Sequence, residues 1–162
     1  MIEAAIFDLD GTLIHLPVDY EKLFAEFKKI TRADNIQPIT ETILKLDKKT
    51  RQKVFTEWDK AELAVAQNST VNKKGMNIYK SLRQKPKALV TMQGKAVVNY
   101  IIPRLELSFD FEITREDSLN RKEQLENAGK KLRKRFESIL FVGDTENDSI
   151  AAEEVGCRFL RI

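Results

Sequence analysis

The sequence predicts an α/β protein: an open parallel sheet with a helical insertion after its first strand. Short apolar runs end abruptly in glycine or polar residues at Ala4–Asp8, Ala88–Thr91 and Ile139–Gly143, as buried parallel strands do. Helical periodicity separates the later runs, and most of the crossovers are long enough for parallel connections. Between Leu16 and Pro86 the apolar residues recur at three- and four-residue intervals, a spacing of helices rather than strands.

Taken in order, Ala4 to Asp8 (AAIFD) reads as a central strand, and Gly11 breaks it. Tyr20, Leu23, Phe24, Phe27 and Ile30 then mark an amphipathic helix, with Asp19 and Glu21 near its start where they oppose the helix dipole. Ile39, Ile43 and Leu44 mark a second helix, and the run from Val54 through Trp58 to Val65 a third. Val71, Ile78, Tyr79 and Leu82 indicate a fourth that stops before Pro86. After the strand at Ala88–Val90 comes a helix over Ala96–Leu105, which Pro103 should kink or end. Phe109, Phe111 and Ile113 alternate with polar residues and form a third strand. Asn120 caps a helix carrying Leu125, Ala128 and Leu132. The strand at SILFVGD, a helix over Ile150–Val155 and a last strand at Cys157–Ile162 complete the chain. The core is therefore assigned to residues 1–15 plus 87–162, and the insertion to residues 16–86.

Composition bounds the function. With 162 residues, 42% hydrophobic and 33% charged, the chain has the balance of a soluble globular protein. No apolar run approaches the roughly 18 residues of a membrane span, so no membrane partner is expected. The opening MIEAAIFDLD lacks the basic region and cleavage site of a secretion signal, so a cytoplasmic location is expected. Cys157 stands alone and forms neither an internal disulfide nor a cysteine metal site. The net charge of +3 is uneven: Leu13–Pro86 holds 15 Lys or Arg against 9 Asp or Glu, and the remainder holds 13 against 16. Such a basic half is either solvated surface or a means of steering anions.

The chemistry lies in carboxylates. Asp8 and Asp10 follow the first strand, at the end of an α/β sheet where ligands bind. Two carboxylates so close repel each other, and a hard divalent cation is the natural partner. Asp144 and Asp148 follow the strand at Ile139–Gly143, with Asp148 in the first turn of the next helix, positioned to ligate a metal or to orient a neighbouring group. Thr91 supplies a hydroxyl at the end of another strand. The N–H groups of Met92, Gln93 and Gly94 beyond it are placed to open toward an anion at a helix start. Lys122 is ranked first among bases able to reach the crevice, with Arg115, Arg121 and Lys130 as competitors.

These stations resemble the haloacid dehalogenase-like hydrolase superfamily. Its DxDGT motif is similar to Asp8–Thr12, its strand-terminal Ser or Thr to Thr91, its lysine before a helix to Lys122, and its GDxxxD motif to Gly143–Asp148. The third motif departs from the pattern: the family often carries prolines after the lysine, whereas this chain reads NRKEQL. The resemblance implies a Rossmann-like core with a small α-helical cap, and Mg2+-dependent hydrolysis of a phosphate monoester. It implies that Asp8 attacks phosphorus, that Asp10 exchanges protons with the leaving oxygen and with water, and that Asp8, Asp144 and the Asp10 carbonyl hold Mg2+. Thr12, Thr91, Met92, Gln93 and Lys122 would then bind phosphate, with Asp148 orienting the metal or the lysine. Thr12 favours a phosphatase, resembling phosphoglycolate phosphatases, over a sugar phosphomutase. The implied partner is a small phosphorylated metabolite, acted on by a monomer or homodimer; an RNA-binding role for the basic insertion is the competing reading.

Within the insertion, the single His15 falls at the first hinge, and Lys48, Lys49, Arg51, Lys53, Lys73 and Lys74 offer charge to an anionic substrate. Trp58 and Tyr79 are expected to be buried inside the insertion.

Overall fold

The computed structural model describes residues 1–162. Five parallel strands form one sheet: β1 (Ala4–Phe7), β4 (Lys87–Val90), β5 (Phe111–Ile113), β6 (Ile139–Gly143) and β7 (Arg158–Arg161). Their order is β5-β4-β1-β6-β7. The chain steps outward from β1 to β4 and β5, then returns to the other side of β1 at β6. The reversal at β1 and β6 is a topological switch point, and it brings the C-terminal ends of β4, β1 and β6 side by side.

Strand β1 is buried along its whole length because helices cover both faces of the sheet. Its residues alternate between two apolar layers, as the two-residue strand period requires. Ala5 and Phe7 pack with Val97, Val98 and Ile101 of α5 (Lys95–Arg104). Ala4 and Ile6 pack with Leu125 and Ala128 of α6 (Arg121–Leu132) and with Ala151 and Ala152 of α7 (Glu146–Val155). Helix α5 ends one residue past Pro103, consistent with the stop signal at that proline.

The insertion begins at a neck. Two short antiparallel strands, β2 (Ile14–His15) and β3 (Thr70–Val71), pair Ile14 with Val71 and His15 with Thr70. Sequence periodicity is silent on such two-residue ladders. Between them α1 (Tyr20–Thr31), α2 (Ile39–Leu44) and α3 (Lys48–Val65) form a small helical cap. Asp19 caps α1, accepting from the Lys22 N–H, and Asp47 caps α3, accepting from the N–H groups of Lys49 and Thr50. Leu23, Phe27, Ile43, Val54 and Trp58 build the cap's core, with the Phe27 and Trp58 rings 5.5 Å apart.

The fourth helix of the stretch assigned to the insertion, α4 (Lys73–Ser81), lies on the sheet. Its Met76, Ile78 and Tyr79 join the layer under Phe7. Tyr79 therefore packs outside the cap: its ring meets Phe7 and Phe109, and its hydroxyl donates to the Ser108 carbonyl at 2.9 Å. The neck closes before α4 begins, so the helix that continues the insertion's apolar rhythm belongs to the core layer. Trp58 is buried in the cap, as expected. No helix is long and apolar enough to cross a membrane.

Phe7 is fully buried in the layer shared by α4 and α5, whereas Leu44 at the end of α2 is 49% exposed. Urea unfolding should show Phe7→Ala losing about 3–5 kcal/mol, and Leu44→Ala changing stability by no more than about 0.5 kcal/mol.

Candidate functional site

Asp8 follows the last residue of β1, and its N–H still donates to Val142 of β6 at 3.0 Å. Its side chain is thus held in the buried sheet, only 4% of the residue exposed. The next turn is tight: the Leu9 carbonyl accepts from the N–H groups of Thr12, Leu13 and Ile14. Gly11 takes φ +82°, and a Cβ there would collide with the Asp144 carboxylate. The motif's glycine therefore serves the turn and also the approach of the second acidic loop.

Asp144 follows β6, next to β1 in the sheet. Asp148 sits in the first turn of α7 within a reciprocal cap: Thr145 N–H donates to Asp148 Oδ2 and Asp148 N–H to Thr145 Oγ1, both at 3.1 Å. Asp8, Asp144 and Asp148 bring carboxylate oxygens within 4.8 Å of one another, a group able to hold a metal ion. The all-oxygen donor set suits a hard divalent cation. The electrostatics agree. Burial pushes Asp8 up to about 7; Arg121 opposes this, while Asp148 and Asp144 add to it. Asp144 is raised by burial and then by Asp148, and Asp10 is raised chiefly by burial. Crowded carboxylates of this kind call for positive charge.

Arg121 supplies part of it. Its Nη2 meets Asp8 Oδ1 at 2.9 Å and its Nε lies 2.9 Å from Asp148 Oδ1. The second contact is close but poorly aligned, leaving both atoms without a well-directed hydrogen bond. Nη1 donates to Gln124 Oε1 at 2.9 Å. Lys122, ranked first from the sequence, makes no ion pair with Asp8; it is half-buried and shares with Arg121 the lining of a cavity of about 240 Å³ bounded by Thr40 and Glu41 of α2 and Asn147 of α7. The helix register explains the difference. Asn120 caps α6, so Arg121 is its first residue, and neighbours on a helix point about 100° apart. Only one of the two can face Asp8.

The other sequence candidates divide. Asp10 Oδ1 accepts from Leu16 N–H at 2.8 Å, which fixes this carboxylate at the entry to the cap and outside the acidic triad. Thr12 is buried and its hydroxyl donates to Asp144 at 3.4 Å, so its contact is to a carboxylate. Thr91 is buried at the end of β4, and its hydroxyl donates to the Gln93 side-chain oxygen. The three N–H groups expected to face an anion have separate fates. Gln93 N–H donates to Thr91 Oγ1 and Gly94 N–H to Glu62 Oε2. Met92 N–H has no protein acceptor. His15 is exposed at the neck.

Arg115, a competing base for the crevice in the sequence reading, is placed elsewhere by the fold. Arg115, in the loop after β5, is completely buried between cap and core. It pairs with Asp59 and Glu62 of α3, donates to the Met92 carbonyl, and lies 4.5 Å from the Trp58 ring. A Cβ at Gly94 would strike both Asp59 and Arg115. Burial lifts Glu62 to about 7 against the pull of Arg115. Leu119 from the core side enters the cap's apolar cluster and Met92 packs against it, so the cap is closed over the strand ends. Nothing in the local sequence distinguishes Arg115, Asp59 or Glu62 from solvated charge; their partners lie more than 50 residues apart.

A family model described as hydrolase, haloacid dehalogenase-like hydrolase, matches residues 2–156. Among solved structures, the chain is similar to a haloacid dehalogenase-like family hydrolase from Streptococcus pneumoniae (18% identity, TM-score 0.71, 99% of this chain and 84% of that one). It is similar to CbbY from Rhodobacter sphaeroides in complex with phosphate (17%, TM-score 0.71, 98% and 85%). It also resembles a candidate phosphoglycolate phosphatase from Lactobacillus plantarum (17%, TM-score 0.69, 98% and 86%). At these identities the likeness concerns the fold. No protein of curated function matches the sequence.

Because the folded pKa of Asp8 stands near 7 rather than 3.8, its contribution to metal-free stability is fully present below 3.8 and is lost as pH rises through about 7. A cation must displace the same proton, so Mg2+ used as a probe should bind more tightly as pH rises toward 7. Below that point the gain is about tenfold per pH unit for each proton displaced. Calorimetric titration between about pH 5.5 and 8 checks this, and a flat profile contradicts it.

Proposed function

This chain belongs to the haloacid dehalogenase-like hydrolases, and from that premise we propose that it hydrolyses a small phosphate monoester with Mg2+. The observation that carries the proposal is Asp8: a buried carboxylate at a strand end, touched by a guanidinium and flanked by two further carboxylates. In the first step an Asp8 oxygen attacks phosphorus and the bond to the leaving oxygen breaks, giving an aspartyl-phosphate. Asp10 donates the proton that the leaving oxygen requires; its raised pKa favours the protonated form needed for that task. In the second step water attacks phosphorus, the bond to Asp8 breaks, and Asp10 takes the proton from water. Mg2+, held by Asp8 and Asp144, supplies charge that offsets repulsion between carboxylate and phosphoryl oxygens.

Arg121 takes the place that the sequence reading gave to Lys122, and its planar fork suits a phosphoryl group as well as a carboxylate. Met92 N–H is the remaining donor on the β4 side, since the Thr91 hydroxyl is engaged by Gln93. Asp148 Oδ2 is engaged by Thr145 and Oδ1 lies beside Arg121 Nε, so its part is to orient the arginine by charge. Thr12 orients Asp144. The closed cap excludes water during transfer. The substrate is a small phosphorylated metabolite of the cytoplasm, and neither nucleic acid nor a membrane enters the reading.

Asp8→Asn should lower phosphate release by about 10⁴-fold or more, with EDTA suppressing the wild type and Mg2+ restoring it. The measurement is release of inorganic phosphate across a panel of phosphorylated metabolites; full turnover by Asp8→Asn would end the nucleophile assignment. Conversion to an isomeric sugar phosphate with little release would indicate a mutase instead. In the same assay Arg121→Ala should cost about 10²–10³-fold in kcat/KM. Lys122→Ala, which removes no ion pair, should stay within about fivefold; the reverse ranking would return the cation's role to Lys122.

A further inference from the structure

Gln124 belongs to no motif, yet it is completely buried one turn into α6, in the middle of the phosphate side of the site. Its side-chain oxygen accepts from Arg121 Nη1 at 2.9 Å. Its amide nitrogen donates to the Thr91 carbonyl at 2.9 Å and to the Ser118 carbonyl at 2.8 Å, with the Thr114 carbonyl at 3.4 Å. The orientation of the amide is unambiguous, because a guanidinium can only donate and carbonyls can only accept.

The geometry points to Gln124 as a positioning residue that aligns the guanidinium of Arg121 and the N–H of Met92 on one phosphoryl group. The Thr91 carbonyl and the Met92 N–H belong to one peptide unit. That unit is planar and trans, so its C=O and N–H point in opposite directions. Holding the Thr91 carbonyl on Gln124 therefore turns the Met92 N–H away from α6, and this N–H has no protein acceptor. The other end of the same amide fixes the guanidinium that touches Asp8. One side chain thus sets the relative placement of two donors, one from the end of β4 and one from the start of α6. It also holds the Ser118 carbonyl, two residues before the Asn120 cap of α6, and so ties the helix start to the end of β4. A side chain of similar size without an amide would fill the same volume and leave three carbonyls and a guanidinium nitrogen less well satisfied.

This inference rests on the hydrolase reading above, and the test separates the two. Inorganic phosphate serves as a competitive inhibitor, and p-nitrophenyl phosphate with Mg2+ as the reporter substrate. Gln124→Met retains length and helix propensity but neither hydrogen bond. It should raise the phosphate inhibition constant and lower kcat/KM by about 10–100-fold, the usual cost of losing a supporting contact, while circular dichroism shows a folded chain. Gln124→Glu, one atom different, keeps the acceptor for Arg121 but can donate to the Thr91 carbonyl only when protonated. Its kcat/KM relative to wild type should therefore recover as pH falls, whereas the Gln124→Met ratio stays level. A purely structural filler would not produce that divergence. Phosphate affinity in Gln124→Met within about twofold of wild type, or parallel pH ratios for the two variants, would overturn the role of Gln124. A wild type that neither binds phosphate nor hydrolyses any ester would overturn the hydrolase reading itself.

Discussion

Three carboxylates held together at the buried ends of two parallel strands form the constraint from which the rest of this molecule follows. Asp8 and Asp144 are costly to ionise out of water, and neighbours of like sign add to that cost. Burial is already enough to push Asp8 to about 7 despite a guanidinium at 2.9 Å. Positive charge must therefore come from the chain, from a cation, or from both. Arg121 can answer only part of the demand, since its Nε meets Asp148 at a poor angle. A site built in this way is able to hold a hard cation, whose charge would relieve what Arg121 leaves unsatisfied.

The backbone around the carboxylates is arranged to allow their approach. The order β5-β4-β1-β6-β7 puts Thr91, Asp8 and Asp144 on adjacent strand ends, and the turn at Gly11 clears room for the Asp144 side chain. Helix α6 then brings Arg121 and Gln124 in from the side, three residues apart and so on the same helix face. Where the resembling third motif often carries prolines, this chain has Gln124, and the amide ties the cation to the β4 side.

The fold was legible because its signals are local. A buried strand ending in Asp, and helical spacing after it, can be read from a dozen residues; all five sheet strands lie within a few residues of their sequence assignments. Asp8 and Asp144 could be paired from sequence because each follows an apolar run and a sheet aligns such ends. What could not be read depends on registers and long-range partners. The choice between Arg121 and Lys122 turns on one residue of helix phase. The placement of α4 turns on a neck of two residues per strand that leaves no periodic trace. Gln124, Glu62 and Arg115 are polar residues at buried positions, where composition predicts exposure; only the fold shows which partners admit them.

The same physics explains why the cap stays shut. Arg115 and Glu62 are both fully buried and lie on opposite sides of the cap boundary, in the loop after β5 and in α3. Separating the cap along that edge would strand a guanidinium and a carboxylate whose hydrogen-bonding partners are each other, Asp59, the Met92 carbonyl and the Gly94 N–H. Breaking a buried pair costs about 3–5 kcal/mol, against well under 1 kcal/mol for an exposed one. The resting protein is therefore closed along this edge. Of the contacts along this edge, Glu62 also accepts from the Gly94 N–H and Arg115 donates to the Met92 carbonyl, so the turn beyond Thr91 is held from the cap side by Glu62 and from the core side by Arg115 and Gln124. Opening would loosen one of those two holds and leave the other in place. Cap position and donor geometry are thereby linked, although no cap residue of that lock touches Asp8.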